Sequence, residues 1–483
     1  MYPTIFVIFG VTGDLASRKL LPALLALYAK KKLPERFAII GFSRRSFTRE
    51  EFRELIRSRL NVKPGEFKEE DIKHFLDHMT YEQGFFDDVG AYDRLAARIQ
   101  SVDDRWGQCS NKLFHLSVPP DLYGAILNNL AHSGLTESCA DETGWTRILI
   151  EKPFGRDLET ARELDKLLGK LFREEQIFRI DHYLAKEALQ NILAFRFANS
   201  LFEPIWRRDS IDRVHIKLLE TLGMEERGDL YDQLGALKDV GQNHMLMMLA
   251  AIAMDRPASF GATDVRTERA RVISRLEASV SNAPGSCSAR GRYIGYLKEQ
   301  GVAPDSKTET YFRLKATVGN KRWKGVPFYL ESGKALAEAK TEIDVYFKPG
   351  KGMKDEARST KNGGRGTGDA VRSTEEGGGQ NILTFRIQPD EGIKIKFFVK
   401  TPGYEFAVEP KTLKFKYAEQ GSSPAWNAKL TDYERLIHDA FIGDQTLFAS
   451  TDEIMASWKF IASVMKNWHK LPMTAYEKGA REV

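Results

Sequence analysis

The run Thr4–Phe9 (T-I-F-V-I-F) passes directly into Gly10-Val11-Thr12-Gly13-Asp14-Leu15-Ala16, and this junction constrains the fold more than any other stretch. An unbroken apolar run bounded by glycine reads as a strand buried on both faces. Leucines at 20, 21, 24, 25 and 27 then read as a helix, and Phe37–Gly41 as the next strand. Strand, glycine turn, helix, strand is a βαβ unit, which requires parallel pairing and a right-handed crossover. Strands over Leu113–Val118 and Ile148–Glu151, with amphipathic helices between them, extend the unit into a doubly wound nucleotide-binding domain.

Gly10-x-x-Gly13-Asp14 is shorter than the full dinucleotide fingerprint, and an ordinary strand-to-helix turn reads the same way. Its place between a first strand and a leucine-rich helix favours a cofactor turn, whose backbone amides approach a pyrophosphate at the helix N-terminus. The second strand leads into Phe42-Ser43-Arg44-Arg45. An acid at this strand end holds the ribose hydroxyl of NAD, whereas an arginine suits the 2′-phosphate of NADP. The arginine pair and the missing acid point to NADP.

A second informative stretch is Arg179–Asn191, R-I-D-H-Y-L-A-K-E-A-L-Q-N. Asp181 is placed to cap a helix beginning there. His182 and Lys186 would then share one face of its first turns, a basic pair near the positive helix end that suits a phosphate. A solvated surface helix is the plainer alternative.

Beyond about residue 200 the pattern changes. Ile211–Glu220 reads as a strand, Gly235–Met254 as a helix, and alternating runs from Thr308 onward as further strands. Asp390-Glu391-Gly392 supplies turn chemistry between the last two of these, so they should form an antiparallel hairpin. Tyr433–Trp468 reads as helical, and Gly350–Gly379, rich in Gly, Lys, Arg, Ser and Thr, as a long mobile insert. The expected fold is an α/β Rossmann-type domain over 1–181 and an α+β domain with a large, mainly antiparallel sheet over 182–483.

Lys and Arg number 72 against 67 Asp and Glu, a net charge of +5 that does not favour a nucleic-acid partner. Cys109, Cys139 and Cys287 are few and widely spaced, so neither a disulfide framework nor a metal motif is expected, and a reducing cytoplasm is the default. Ile5–Phe9 is too short for a signal peptide or a membrane span.

Several stretches together resemble the glucose-6-phosphate 1-dehydrogenase family. They are Gly10–Leu20, Glu151-Lys152-Pro153-Phe154-Gly155, Arg179–Gln190 and Asp239-Val240-Gly241-Gln242-Asn243-His244. V-A-P-D-S-K-T-E-T, G-V-P-F-Y-L-E-S-G-K and Y-E-R-L-I-H-D match as well, so the likeness runs nearly the length of the chain. The resemblance implies oxidation of D-glucose 6-phosphate at carbon 1 to 6-phosphogluconolactone with hydride transfer to NADP, the first oxidative step of the pentose phosphate pathway. It also implies a cytoplasmic homodimer, or a tetramer, assembled through the large sheet. By the same resemblance His244 is the general base, a role suited to imidazole with its reference pKa of about 6.5. Asp181 is the carboxylate that orients that base.

His182, Tyr183 and Lys186 match the group holding sugar and phosphate, and Lys152 a lysine between coenzyme and sugar. Glu220 and Asp239 match acceptors for sugar hydroxyls, and Lys334 a lysine on the substrate. Gly10, Gly13, Asp14, Leu15 and Arg44 carry over to the coenzyme.

Four departures stand out. Glu331 and Ala339 occupy positions where the family often has basic residues, which implies weaker substrate binding, and Lys340 is not expected to replace residue 339. His115 stands where a tyrosine is common, and the 350–379 insert is long. The altered charges near Lys334 keep open a relative acting on another hexose 6-phosphate or on free glucose. A non-catalytic sensor or assembly subunit is a third reading, against which Asp181, Lys186 and His244 all speak.

Overall fold

β1 (Thr4–Phe9) runs through the middle of a seven-stranded sheet, between β2 (Phe37–Ser43) and β4 (Asn111–Leu116), and pairs in parallel with both. β3 (Met79–Gln83) lies outside β2, while β5 (Thr146–Glu151) and β6 (Ile177–Ile180) continue beyond β4, again in parallel. The order 3-2-1-4-5-6 reverses between β1 and β4, the place where a doubly wound sheet opens a crevice at its carboxyl edge. Every residue of β1 is buried, so the unbroken apolar run is what a strand covered on both faces requires.

The computed structural model describes residues 2–139, 144–225, 228–278, 280–281, 287–349, 379–404, 408–417 and 430–483. They divide into two compact units, each considered by itself. The first comprises Met1–Ala185, Pro257–Ala270 and Lys429–Trp458, and the second comprises the remainder. A division into continuous segments at 181/182 therefore differs from the compact units, which draw two later segments into the first. One reason is visible in the sheet. The single helix expected over Tyr433–Trp468 is two, Asp432–Ile442 and Thr451–Trp468, parted by Gly443 at φ 84°. Between them a short strand, Phe448–Ala449, pairs antiparallel with β6 and closes that edge of the sheet.

In the second unit, β7 (Ile211–Leu219) pairs in parallel with Phe328–Gly333 and antiparallel with Lys340–Phe347, inside a ten-stranded, mainly antiparallel sheet. The expected hairpin joins Ile382–Gln388 to Gly392–Lys400, and Asp390 turns it at φ 56°. β7 buries Ile211, Val214, Ile216 and Leu218 with the alternation of a strand covered on one face. The helical segment Leu237–Met245 packs against β7 and Phe328–Gly333. The insert at 350–379 lies, but for its last residue, outside the described residues. No helix among the described residues is long and apolar enough to cross a membrane.

The cysteine reading needs correction. Cys109 and Cys139 are joined by a disulfide with their Cα atoms 6.2 Å apart. They are 30 residues apart in sequence, but one precedes β4 and the other precedes β5, and those two strands are neighbours. Sequence spacing could not show this proximity, and the bridge removes the cysteine argument for a reducing compartment. Closing a loop of this size contributes about 3–4 kcal/mol in the chain-entropy account. Cys139→Ser should therefore lower the denaturant midpoint while leaving turnover intact, because the bridge sits at the amino ends of the strands, away from the crevice. An unchanged midpoint would show that the bridge does not support the fold.

Candidate active site

In the first unit the glycine turn closes the crevice between β1 and β4. Gly10 has φ 78° and donates its N–H to the Phe42 carbonyl at 2.8 Å. A Cβ at Gly10 would lie 2.3 Å from the Ser117 carbonyl oxygen, so only glycine lets the turn pass this close to the end of β4. Gly13 N–H donates to the Gly10 carbonyl at 2.8 Å, and the Ser17 hydroxyl donates to the Gly13 carbonyl at 3.0 Å. Asp14 and Leu15 follow, and the next turn is a π-helix over Ala16–Leu20. A tight cradle of this kind, with backbone amides at a helix start, fits the pyrophosphate of a dinucleotide.

Arg44 is exposed at the end of β2, with Ser43 and Arg45 as its chain neighbours. Its backbone is well tied. The Tyr81 hydroxyl donates to the carbonyls of Ser43, at 2.8 Å, and of Arg45. Gln83 donates to the Arg44 carbonyl at 3.3 Å, and the Thr12 and Ser43 hydroxyls are 3.0 Å apart. The guanidinium is thus presented by a fixed strand end, which suits a ribose phosphate.

Lys152 follows β5, and the preceding residue is clamped. The Glu151 carboxylate accepts from the Tyr433 hydroxyl at 3.1 Å and lies 3.1 Å from His115 Nε2, while Tyr123 donates to the Glu151 carbonyl at 3.0 Å. His115, which stands where a tyrosine is common, is wholly buried and meets the residue that precedes Lys152.

The expectation for residues 181–186 fails locally. Residues 182–185 form a turn, and the helix spans Glu187–Phe197 with Lys186 at its N-cap. Asp181 Oδ1 accepts from the Tyr183 N–H at 3.0 Å, and the Asp181 carbonyl accepts from Leu184 N–H at 3.0 Å. Asp181 therefore closes a turn that bears His182 and Tyr183, and His182 and Lys186 do not share a helix face.

In the second unit three of the expected substrate residues meet. Lys334, only 5% exposed, places Nζ 2.5 Å from Glu220 Oε2 and 4.0 Å from Asp239 Oδ2. Its backbone is fixed because Lys334 N–H donates to the Thr310 carbonyl at 2.9 Å and its own carbonyl accepts from the Tyr476 hydroxyl at 2.8 Å. The Tyr231 ring centre lies 5.3 Å from Nζ, a contact that no motif marks.

His244 is 2% exposed, and its setting differs from the single helix expected over Gly235–Met254. Gly235, at φ 72°, breaks the helix, Leu237–Met245 is a π-helix, and Leu246–Ala253 resumes α geometry. The Glu309 carboxylate accepts from Leu237 N–H at 3.1 Å, and a Cβ at Gly235 would lie 2.7 Å from it. Burial raises the Glu309 pKa above the usual carboxylate range. One extra residue in a turn rotates everything after it, and such bulges recur at functional sites.

Models of the glucose-6-phosphate dehydrogenase NAD-binding domain and C-terminal domain match residues 7–191 and 193–482. The chain is 40% identical over 469 residues to a glucose-6-phosphate 1-dehydrogenase of Aggregatibacter actinomycetemcomitans, covering 95% of this chain and 90% of that one. It is 38% identical over 478 residues to that of Chlamydia pneumoniae, covering 96% and 90%. A solved structure of glucose-6-phosphate dehydrogenase with its substrate glucose-6-phosphate has a TM-score of 0.86 at 30% identity, covering 100% of this chain and 96% of that one. The chain belongs to the glucose-6-phosphate dehydrogenase family.

Two of the departures near Lys334 now have a structural setting. The Glu331 side chain is largely buried and has its own partners. It lies 2.9 Å from His215 Nε2 and accepts from the Tyr311 hydroxyl at 2.8 Å. Ala339 is exposed, and Lys340 is committed to Glu338 and to Glu342, the latter at 3.3 Å.

Burial alone would raise the Glu331 pKa, but His215, Tyr311 and the charge of Lys217 outweigh it and hold the carboxyl at about 2. A folded-state value below the unfolded value of about 4.3 means that this pairing stabilises the fold above that pH and is lost as pH falls toward 2. Denaturant midpoints measured from pH 5 downward should therefore fall more steeply for the wild type than for Glu331→Gln. Parallel curves would contradict the pairing.

Proposed function

We infer that the chain oxidises D-glucose 6-phosphate at carbon 1 to 6-phosphogluconolactone, with NADP as oxidant. The observation that carries this most directly is family membership over both domains. NADP, when bound, supplies a nicotinamide ring able to accept a hydride. The glycine cradle at Gly10 and Gly13, with Asp14, Leu15 and Arg44, is assigned to hold it.

The chain's own part is proton transfer, charge and position. We assign His244 the removal of the carbon-1 hydroxyl proton as the carbon–hydrogen bond gives up its electron pair with the hydrogen. A neutral imidazole serves as a base near neutral pH. Asp181 is assigned to fix its tautomer and stabilise the imidazolium, the task a carboxylate performs beside a catalytic histidine. His182, Tyr183 and Lys186 are assigned to the sugar and its phosphate, and Lys152 to the place between sugar and coenzyme. Glu220 and Asp239 accept from sugar hydroxyls in this reading, and Lys334 steers both carboxylates and the anionic substrate. Glu220 faces Lys334 Nζ at 2.5 Å and gives the buried lysine a carboxylate partner.

No observation favours another hexose 6-phosphate, free glucose or a non-catalytic role. We further propose a homodimer, with a tetramer as the alternative, assembled through the ten-stranded sheet. Its outermost strand, Val408–Lys416, is largely exposed and offers such a surface. We place the enzyme in the cytoplasm, where the phosphorylated sugar and NADP would be at hand. The Cys109–Cys139 bridge runs against that location.

Reduction of coenzyme followed by absorbance, across glucose 6-phosphate, other hexose 6-phosphates and glucose, should give turnover with glucose 6-phosphate foremost. No turnover with any of them would overturn the assignment. His244→Asn should lose on the order of 10²–10⁴-fold in kcat while still binding the sugar phosphate. Near wild-type turnover in that variant would remove His244 from the role of base.

A further inference from the structure

We propose that Arg59 is a second cationic contact for the coenzyme's 2′-phosphate and, with Arg44, sets the preference for NADP over NAD. The proposal deepens the NADP reading and rests on it.

The path of the chain brings Arg59 back to the glycine turn. After the Arg44–Arg45 strand end, Thr48 and Glu51 form a reciprocal cap that starts the helix Arg49–Arg59. Its last residue returns to the sheet, where Arg59 Nη1 donates to the Thr12 carbonyl at 2.6 Å. The hydroxyl of the same Thr12 lies 3.0 Å from the Ser43 hydroxyl, immediately before Arg44. Thr12 thus touches Arg59 on one side and the end of β2 on the other. The guanidinium stands where the glycine turn and the second strand converge, the place a Rossmann fold offers to the adenosine ribose.

Two further observations point to an anion. A cavity of about 500 Å³ opens beside Arg59 on the side of the first helix, lined by Asp14, Ser17, Arg18, Arg59 and Asn61. Arg53 and Arg57 of the same helix pair with Asp77 and Glu69, and Arg18 pairs with Asp14 at 2.7 Å. Arg59 pairs with no carboxylate among the described residues, and the Thr12 carbonyl uses one of its five donors. A half-buried, uncompensated guanidinium beside a cavity gains more from a phosphate dianion than from a ribose hydroxyl.

The competing role is a staple that holds the glycine turn through Thr12 and would serve both coenzymes alike. Arg59→Gln separates the two roles, because its amide keeps a donor for the Thr12 carbonyl and loses the charge. Calorimetric binding of 2′,5′-ADP and of 5′-ADP to wild type, Arg59→Gln, Arg59→Ala and Arg44→Ala reads the effect without turnover. Loss of one charge-assisted bond should weaken 2′,5′-ADP by roughly tenfold or more in Arg59→Gln, with 5′-ADP changed by about twofold at most. Equal weakening of both ligands, or no change in either, would overturn the proposal. If Arg44→Ala loses 2′,5′-ADP selectively and Arg59→Gln does not, the NADP reading stands and this proposal falls. A wild type that binds 2′,5′-ADP no tighter than 5′-ADP overturns the NADP reading and the proposal with it.

Discussion

Gly10 packs against the Ser117 carbonyl so closely that any side chain at that position would occupy the same space. That contact exists because β1 and β4 are parallel neighbours at the point where the strand order reverses. The turn from β1 must fold back tightly to reach the following helix, and only then do its amides face the crevice. Thr12, within this turn, meets the Ser43 hydroxyl and the Arg59 guanidinium. Displacing Gly10 would move the turn proposed to hold the pyrophosphate, so this proposed role depends on one steric allowance there.

The second unit depends on a different balance. Lys334 is almost wholly buried, and an uncompensated ammonium there would be costly. Glu220 and Asp239 neutralise it from two elements, the end of β7 and the π-helix. The buried cation of this cluster is therefore met by carboxylates of the second unit itself. Glu331 and His215 form a separate pair, which keeps the acid three residues before Lys334 from competing for it.

Much of the architecture was legible because strand periodicity and turn chemistry are local. The glycine junction announced the βαβ unit, and the strands near 113, 148, 211 and 382 fell where alternation or apolar runs placed them. What stayed hidden depended on partners distant in sequence or on small changes of helical pitch. Four-residue spacing puts His182 and Lys186 on one face only if a helix is present, and Asp181 closes a turn instead. A π-helix over Leu237–Met245 has no compositional mark, so the orientation of His244 could not be read. Cys109 and Cys139 meet because β4 and β5 are neighbours, and Arg59 was overlooked because arginine is ordinary at the end of an amphipathic helix. Motif resemblance supplied candidate site residues that periodicity could not, and of these Glu220, Asp239 and Lys334 lie together in the structure.

Oxidation at carbon 1 requires that the hydrogen on that carbon of glucose 6-phosphate is the one transferred. Glucose 6-phosphate carrying deuterium at carbon 1, turned over with NADP, tests it by mass spectrometry of the reduced coenzyme. One deuterium per reduced coenzyme is predicted, together with an unlabelled carbon 1 in the lactone or its hydrolysis product. Reduced coenzyme free of deuterium, or a product that retains it at carbon 1, would contradict the account.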